Sequence, residues 1–311
     1  MASAAVSASQ WTSRAKQALN DSRNNTSLRA HLIRRQPPCV GSRRTAQYLL
    51  LSAFVLCLAM ALMAANTLYA ADSDRKPIAR ADLKSGIELA SRELRQQQED
   101  PILNPGMLAV DQGARAFVQV PSNGQPACQT CHQLNSMKGL AAQLPKVDRT
   151  AARLHNLHTL VNRCRIERQQ LPPLDYESPA LLALVSFLAN QSQGLPINVD
   201  IDGPARPYFE QGRNLYNSRT GQMNLACSHC HDQNWGRRLL SEPISQGHGN
   251  AYPIYRLEWQ AMGSLHRRFR SCQFGVRAQL GAQGSDDFLA LELYLAWRGE
   301  GLLIEAPGVR R

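Results

Sequence analysis

Two short motifs constrain this chain more than anything else in it: Cys128-Gln129-Thr130-Cys131-His132 and Cys227-Ser228-His229-Cys230-His231. Both read C-x-x-C-H, the pattern in which two thiols add across the vinyl groups of a haem and the next residue places an imidazole beneath the iron. A zinc site would have to join the four cysteines into one centre. Ninety-five residues separate Cys131 from Cys227, far beyond the usual ligand spacing. A thioredoxin-like C-x-x-C gives no reason for histidine to follow both pairs. Two covalently attached haem c groups per chain are the expectation.

The chain also repeats itself around these motifs. Gln112-Gly113 lies 16 residues before Cys128, and Gln211-Gly212 lies 16 before Cys227. An aromatic follows each glycine one helical turn on, Phe117 or Tyr216. Downstream, residues 180–197 align with 287–304 without a gap and with eight identities. Within them, Leu184, Phe187 and Leu188 match Leu291, Tyr294 and Leu295, an i, i+3, i+4 stripe along one helix face. Each copy predicts a helix carrying a glycine for close approach, a haem motif, and a closing helix packed on the first. That arrangement resembles the class I cytochrome c fold, twice over. The expected fold is therefore all-α, with tandem domains at 72–198 and 199–311, each holding one haem, joined at the Pro- and Gly-rich stretch Leu195–Pro207.

Residues 1–71 read as a leader. Arg43-Arg44 precede an uncharged apolar run from Tyr48 to Ala65, and small residues at Ala70 and Ala71 precede Asp72. This is the pattern of a signal peptide cleaved near Ala70 or Ala71, which implies a periplasmic protein without stable membrane insertion afterwards. Retention of the run as an anchor is the competing reading. The formal charge of +11 is concentrated there as well. Eight basic residues against Asp21 give the leader +7, leaving 27 basic and 23 acidic groups, or +4, in residues 72–311. So small a body charge is no footprint for nucleic acid.

Each iron needs a second axial ligand, and here the sequence departs from an ordinary cytochrome c, which supplies methionine. The first repeat offers Met137, His155, His158 and Cys164; the second offers His248, Met262, His266 and Cys272. Of these, only the cysteines are read as equivalent: Cys164 lies 18 residues before Leu182 and Cys272 lies 17 before Leu289. Haem accepts a thiolate, so Cys164 and Cys272 are the expected axial ligands, with His158 and His266 as alternatives. A cysteine-ligated iron is poorly suited to plain electron ferrying and points to chemistry at sulfur.

Two C-x-x-C-H domains, a downstream cysteine in each, and Arg268-Phe269-Arg270-Ser271-Cys272 resemble the SoxA family of the bacterial thiosulfate-oxidising system. The resemblance covers nearly the whole mature chain. It implies a heterodimer with a small monohaem cytochrome, SoxX, and oxidative joining of thiosulfate to a cysteine of a carrier protein, SoxYZ, with two electrons passed to haem c acceptors. Carried over, Cys128 and Cys131 hold the first haem, with His132 and Cys164 axial. Cys227 and Cys230 hold the second, with His231 and Cys272 axial. Cys272 becomes the catalytic residue, found in the family as a persulfide, and Arg268 contacts substrate. The residues agree with that asymmetry. Thiosulfate is a compact dianion suited to a bidentate guanidinium, which also favours a thiolate. Arg267, Arg268, Arg270 and Arg277 surround Cys272, whereas Leu160 stands at the first-repeat position matching Arg268. Arg267 and Arg270 are alternatively a solvated face or propionate contacts. A dihaem thiosulfate dehydrogenase forming tetrathionate, and an electron carrier without substrate chemistry, are the competing functions.

Overall fold

The structure is a computed structural model that describes residues 76–148 and 152–311, together with the helical leader positions 48, 51, 53–61 and 63. Arg43-Arg44 and the cleavage position near Ala70 and Ala71 lie outside the described residues. No helix among the described residues is long and apolar enough to cross a membrane.

Each repeat builds the helix pair that its sequence predicts. In the first, α2 (Gly106–Val118) packs on α5 (Pro179–Asn190). In the second, α6 (Arg206–Asn217) packs on α9 (Asp286–Arg298). The glycines set the distance. A methyl group at Gly113 would lie 2.1 Å from the Ala183 carbonyl oxygen, and one at Gly212 would lie 2.1 Å from that of Ala290. Nothing larger than hydrogen fits either crossing. The aromatics one turn on fill the space beside it, Phe117 against Phe187 and Tyr216 against Tyr294.

The haem motifs form single turns, α3 (Cys128–Cys131) and α7 (Cys227–His231). Two further helices carry the downstream cysteines, α4 (Leu157–Glu167) with Cys164 and α8 (Leu265–Gly275) with Cys272. Their starts are fixed by side-chain caps that satisfy otherwise orphaned amides. Asn156 accepts from Thr159 N at 3.1 Å, and Ser264 accepts from Arg267 N at 3.1 Å. Ser178 and Ser285 do the same for the closing helices.

The all-α expectation describes this helical scaffold but omits three short ribbons. β1 (Lys146–Asp148) pairs with β2 (Arg153–His155), and β3 (Arg238–Leu239) with β4 (Glu242–Pro243). β5 (Ile254–Arg256) lies between antiparallel β6 (Ala261–Gly263) and parallel β7 (Gly308–Arg310). Such two- and three-residue strands are too short to show the alternation that betrays a strand in sequence.

Residues 75–311 pack as one unit with a common core. Two segments stitch the repeats together. The stretch after α5 is no free linker: Ile197 N bonds to Leu302 O, and Ile304 N to Leu195 O, both at 2.9 Å. An N-terminal arm ending in α1 (Arg92–Glu99) precedes the first repeat in sequence but spends its hydrogen bonds on the second. Gln98 Oε1 accepts from Val309 N at 2.9 Å, and Gln98 Nε2 donates to Glu305 Oε2 at 3.3 Å.

Candidate functional site

The second repeat gathers the richer set of groups. Turn α7 presents Cys227, Cys230 and His231 together, and α8 brings Cys272 against them. His231 Nδ1 donates to the Ser245 carbonyl at 2.7 Å, which leaves Nε2 as the free lone pair. The Cys272 thiol hydrogen-bonds the same ring, and its charge acts on both Cys227 and Cys230. Two thiols on one turn, an imidazole with its outer nitrogen anchored, and an opposing thiol are the donors a covalently held haem requires. The residues present fit haem c.

Cys272 is electrostatically distinct. Burial pushes its thiol up, yet it is held down to about 7 by the hydrogen bond to His231 and by the positive charges of Arg268, His231 and Arg256. Its side chain is nevertheless accessible to solvent. Arg268 lies one helical turn before it on α8, and Cys272 is the strongest influence on that guanidinium. The phenol of partly buried Tyr252, pushed up by desolvation, feels Arg268, Arg256 and Cys272 together.

The first repeat gathers a poorer version. Burial raises both Cys128 and Cys164; Cys164 in turn raises Cys128, and Cys131 raises Cys164, so the three thiols converge. The positive charges of Arg168 and Arg165 lower Cys164 and Cys128 respectively, but burial outweighs them, and Arg163 and Arg165 also have partners of their own. Arg163 pairs with Asp148 and with Glu167, and Arg165 donates to Pro172 O at 3.4 Å. Leu160 packs against the core.

Of the remaining candidate residues, Arg267 stacks on Trp259 at 4.2 Å, and Arg270 donates to Gly281 O at 2.6 Å. Both hold α8 in place. Met137 packs against the core, and Met262 lies in β6. His155 Nδ1 meets Thr159 Oγ1 at 3.2 Å, and His248 Nε2 meets Gln246 Oε1 at 3.2 Å.

His158 and His266 form the outer members of a buried three-ring stack with Tyr176 between them, at centroid distances of 4.4 and 4.8 Å. His266 Nδ1 accepts from Gly284 N at 3.0 Å, so its Nε2 donates to Glu292, also at 3.0 Å. That ring has no nitrogen left for a metal. The cysteines are therefore not the only equivalent pair. Each histidine stands six residues before its cysteine, in Asn156-Leu157-His158 and Ser264-Leu265-His266. Measuring from the cysteines rather than from the closing helices exposes the match.

Sequence reading missed Arg256 and Tyr252. Arg256 is 8% exposed, lies in β5, and reaches the Cys272 neighbourhood from 16 residues upstream, across a turn and strand β6. No local spacing signals such an approach.

The comparisons with known proteins agree with this geometry. A profile of the SoxA/TsdA cytochrome c domain matches residues 112–197. The L-cysteine S-thiosulfotransferase subunit SoxA of Pseudaminobacter salicylatoxidans is 39% identical over 230 residues, 73% of this chain and 80% of that one. Its counterpart in Rhodovulum sulfidophilum is 36% identical over 231 residues, 74% of this chain and 80% of that one. The crystal structure of SoxXA from P. pantotrophus contains a chain that superposes with a TM-score of 0.71 at 38% identity, covering 74% of this chain and 87% of that one. With identity at this level over most of both chains, and a fold to match, this protein belongs to the SoxA family.

Proposed function

We propose that the protein is the catalytic subunit of an L-cysteine S-thiosulfotransferase that works in the periplasm with a small SoxX-like monohaem cytochrome. Its acceptor is a cysteine of a SoxYZ-like carrier. Cys128, Cys131, His132 and Cys164 would hold one haem c, and Cys227, Cys230, His231 and Cys272 a second. The division into domains at 72–198 and 199–311 follows the two sites, although the halves share a core.

The difference between the two cysteines carries the reading. Cys272 is held down to about 7 beside Arg268 and Arg256, while Cys164 is raised and faces Leu160 at the matching offset. Thiosulfate has a nucleophilic sulfane sulfur at one end and a sulfonate at the other. Arg268 and Arg256 hold the sulfonate and set the sulfane sulfur toward Cys272. The Cys272 thiolate and that sulfur form an S–S bond as two electrons leave. The carrier thiolate then attacks the outer sulfur of this bond and displaces Cys272 as thiolate. Across the cycle, carrier thiol plus thiosulfate becomes the carrier S-thiosulfonate, one proton and two electrons. Haem c supplies the electron-accepting chemistry when bound.

The test is product formation by the purified heterodimer with carrier, thiosulfate and an electron acceptor. Cys272→Ala abolishes thiosulfonate on the carrier, and Cys164→Ala does not. Tetrathionate formed without any carrier would instead assign the protein as a thiosulfate dehydrogenase.

A further inference from the structure

The N-terminal arm meets the loop beside the second haem motif at Gln246. Gln246 is fully buried, and its amide is bracketed by arm backbone. Oε1 accepts from Lys84 N at 2.8 Å, and Nε2 donates to Asp82 O at 2.7 Å. The Gln246 carbonyl is gripped from the other side by Arg298 Nη1 at 2.8 Å. Arg298 is itself buried and paired with Asp232, the residue after His231, and Asp232 accepts from the Tyr216 hydroxyl at 2.8 Å. Asn250 Nδ2 adds a bond to Ser85 Oγ of the arm at 3.1 Å.

What this bracket fixes is the loop against His231. Ser245, one residue earlier, offers the carbonyl that accepts the hydrogen bond from His231 Nδ1. Gly247, one residue later, lies so close that a methyl group there would come within 3.0 Å of the His231 ring carbon Cγ. The first repeat has no counterpart: among the described residues His132 has no ring hydrogen bond. Where Tyr216, Asp232 and Arg298 stand in the second repeat, the first has Phe117, Gln133 and Gln191.

We propose that Gln246 is a positioning residue for the second haem: tied to the N-terminal arm and to Arg298, it holds the Ser245 carbonyl on His231 Nδ1 and so sets the basicity of that imidazole. A firm N–H···O=C bond at the outer nitrogen pushes electron density toward the ligating one, which favours the ferric state. The arm thereby tunes one haem and leaves the other alone. This inference rests on the reading of His231 and Cys272 as axial ligands.

The experiment measures midpoint potentials and ferric electron paramagnetic resonance signals of both haems in the haem-loaded protein. Gln246→Leu removes both bracket bonds. Gln246→Met keeps the side-chain length without the amide or a charge, and serves if the leucine variant does not load haem. The expected result is a rise in the potential of the second haem with shifted g-values for its signal, and no change in the first. Unchanged values at both haems, or equal shifts at both, overturn the proposal. Cys272→Ser is measured alongside. If it leaves both signals as they were, the ligand assignment itself fails; if it alters one while both Gln246 variants alter none, only the role of the bracket fails.

Discussion

Arg268 and Leu160 occupy the same place, four residues before Cys272 and Cys164, and under the proposed function the contrast at that one position separates a site for a dianion from a site without one. A charge-assisted contact of this kind contributes roughly 1.5–3 kcal/mol. Arg268→Ala should therefore lower kcat/KM for thiosulfate by roughly ten- to a hundredfold with both haems still attached. Lysine at 268 should recover only part of that, because it lacks the planar fork. Arg256→Gln should weaken thiosulfate use in the same direction. Steady-state kinetics at fixed carrier concentration measures all three, and normal kinetics in Arg268→Ala would place the substrate elsewhere. Sulfur should also mark one cysteine and not the other. Peptide mass analysis should find an added sulfur, about 32 Da, on the Cys272 peptide, left when water removes the sulfonate of the Cys272 adduct as hydrogen sulfate, and none on that of Cys164. How much of this was legible follows from chain distance. Cys272 and Arg268 share a helix face, so their i, i+4 spacing announced them. Arg256 and Tyr252 arrive by a strand and a loop, and only the folded chain brings them in.

Elements were legible where their pattern is periodic and obscure where it is not. The closing helices α5 and α9 carry apolar stripes over three turns, and the repeat of those stripes gave both helix and partner. The ribbons β1 to β7 are two or three residues each and leave no such trace. Leu195–Pro207 read as a linker because proline and glycine break regular structure, yet its backbone is paired to residues 302 and 304. Composition reports local conformation, not which partner a loop finds. The matched glycines offer a test of the helix pairs. A methyl group 2.1 Å from a backbone carbonyl cannot be accommodated by rotating a side chain, so α2 or α6 must move. Overpacking of this kind costs about 1–3 kcal/mol. Gly113→Ala and Gly212→Ala should each lower the thermal midpoint. Gly212→Ala should also perturb the second haem, whose motif follows α6, more than the first. A midpoint unchanged in both would mean that the crossings tolerate separation.

On the scale of the whole molecule, the two repeats do not behave as beads on a string. The arm precedes the first repeat and holds the second, the connecting stretch pairs with the segment after α9, and the ring stack joins α4 to α8. Residues 75–311 should accordingly unfold in a single calorimetric transition rather than two, the van't Hoff and calorimetric enthalpies agreeing. The stack adds a pH dependence whose sign is fixed by burial. His158 is held down to about 3, first by burial and then by the nearby His266, against an ordinary value of 6.5. Tyr176 stacks on it, and Glu292 meets His266 on the far side. Above pH 6.5 the ring is neutral in both folded and unfolded chains and contributes nothing to the slope. Below it, the unfolded chain takes up a proton that the folded chain refuses, so stability falls as pH falls. The loss from this one group is about 1.4 kcal/mol per pH unit until the folded ring itself titrates. Partly buried His248, also held down to about 3, acts in the same direction. Thermal midpoints recorded from pH 7.5 to 4.5 should therefore decline on the acid side, and His158→Phe, which keeps a ring against Tyr176, should decline less steeply over that range. If the two curves ran parallel, the imidazole at 158 would be taking up its proton in the folded protein, and the stack would be open to water.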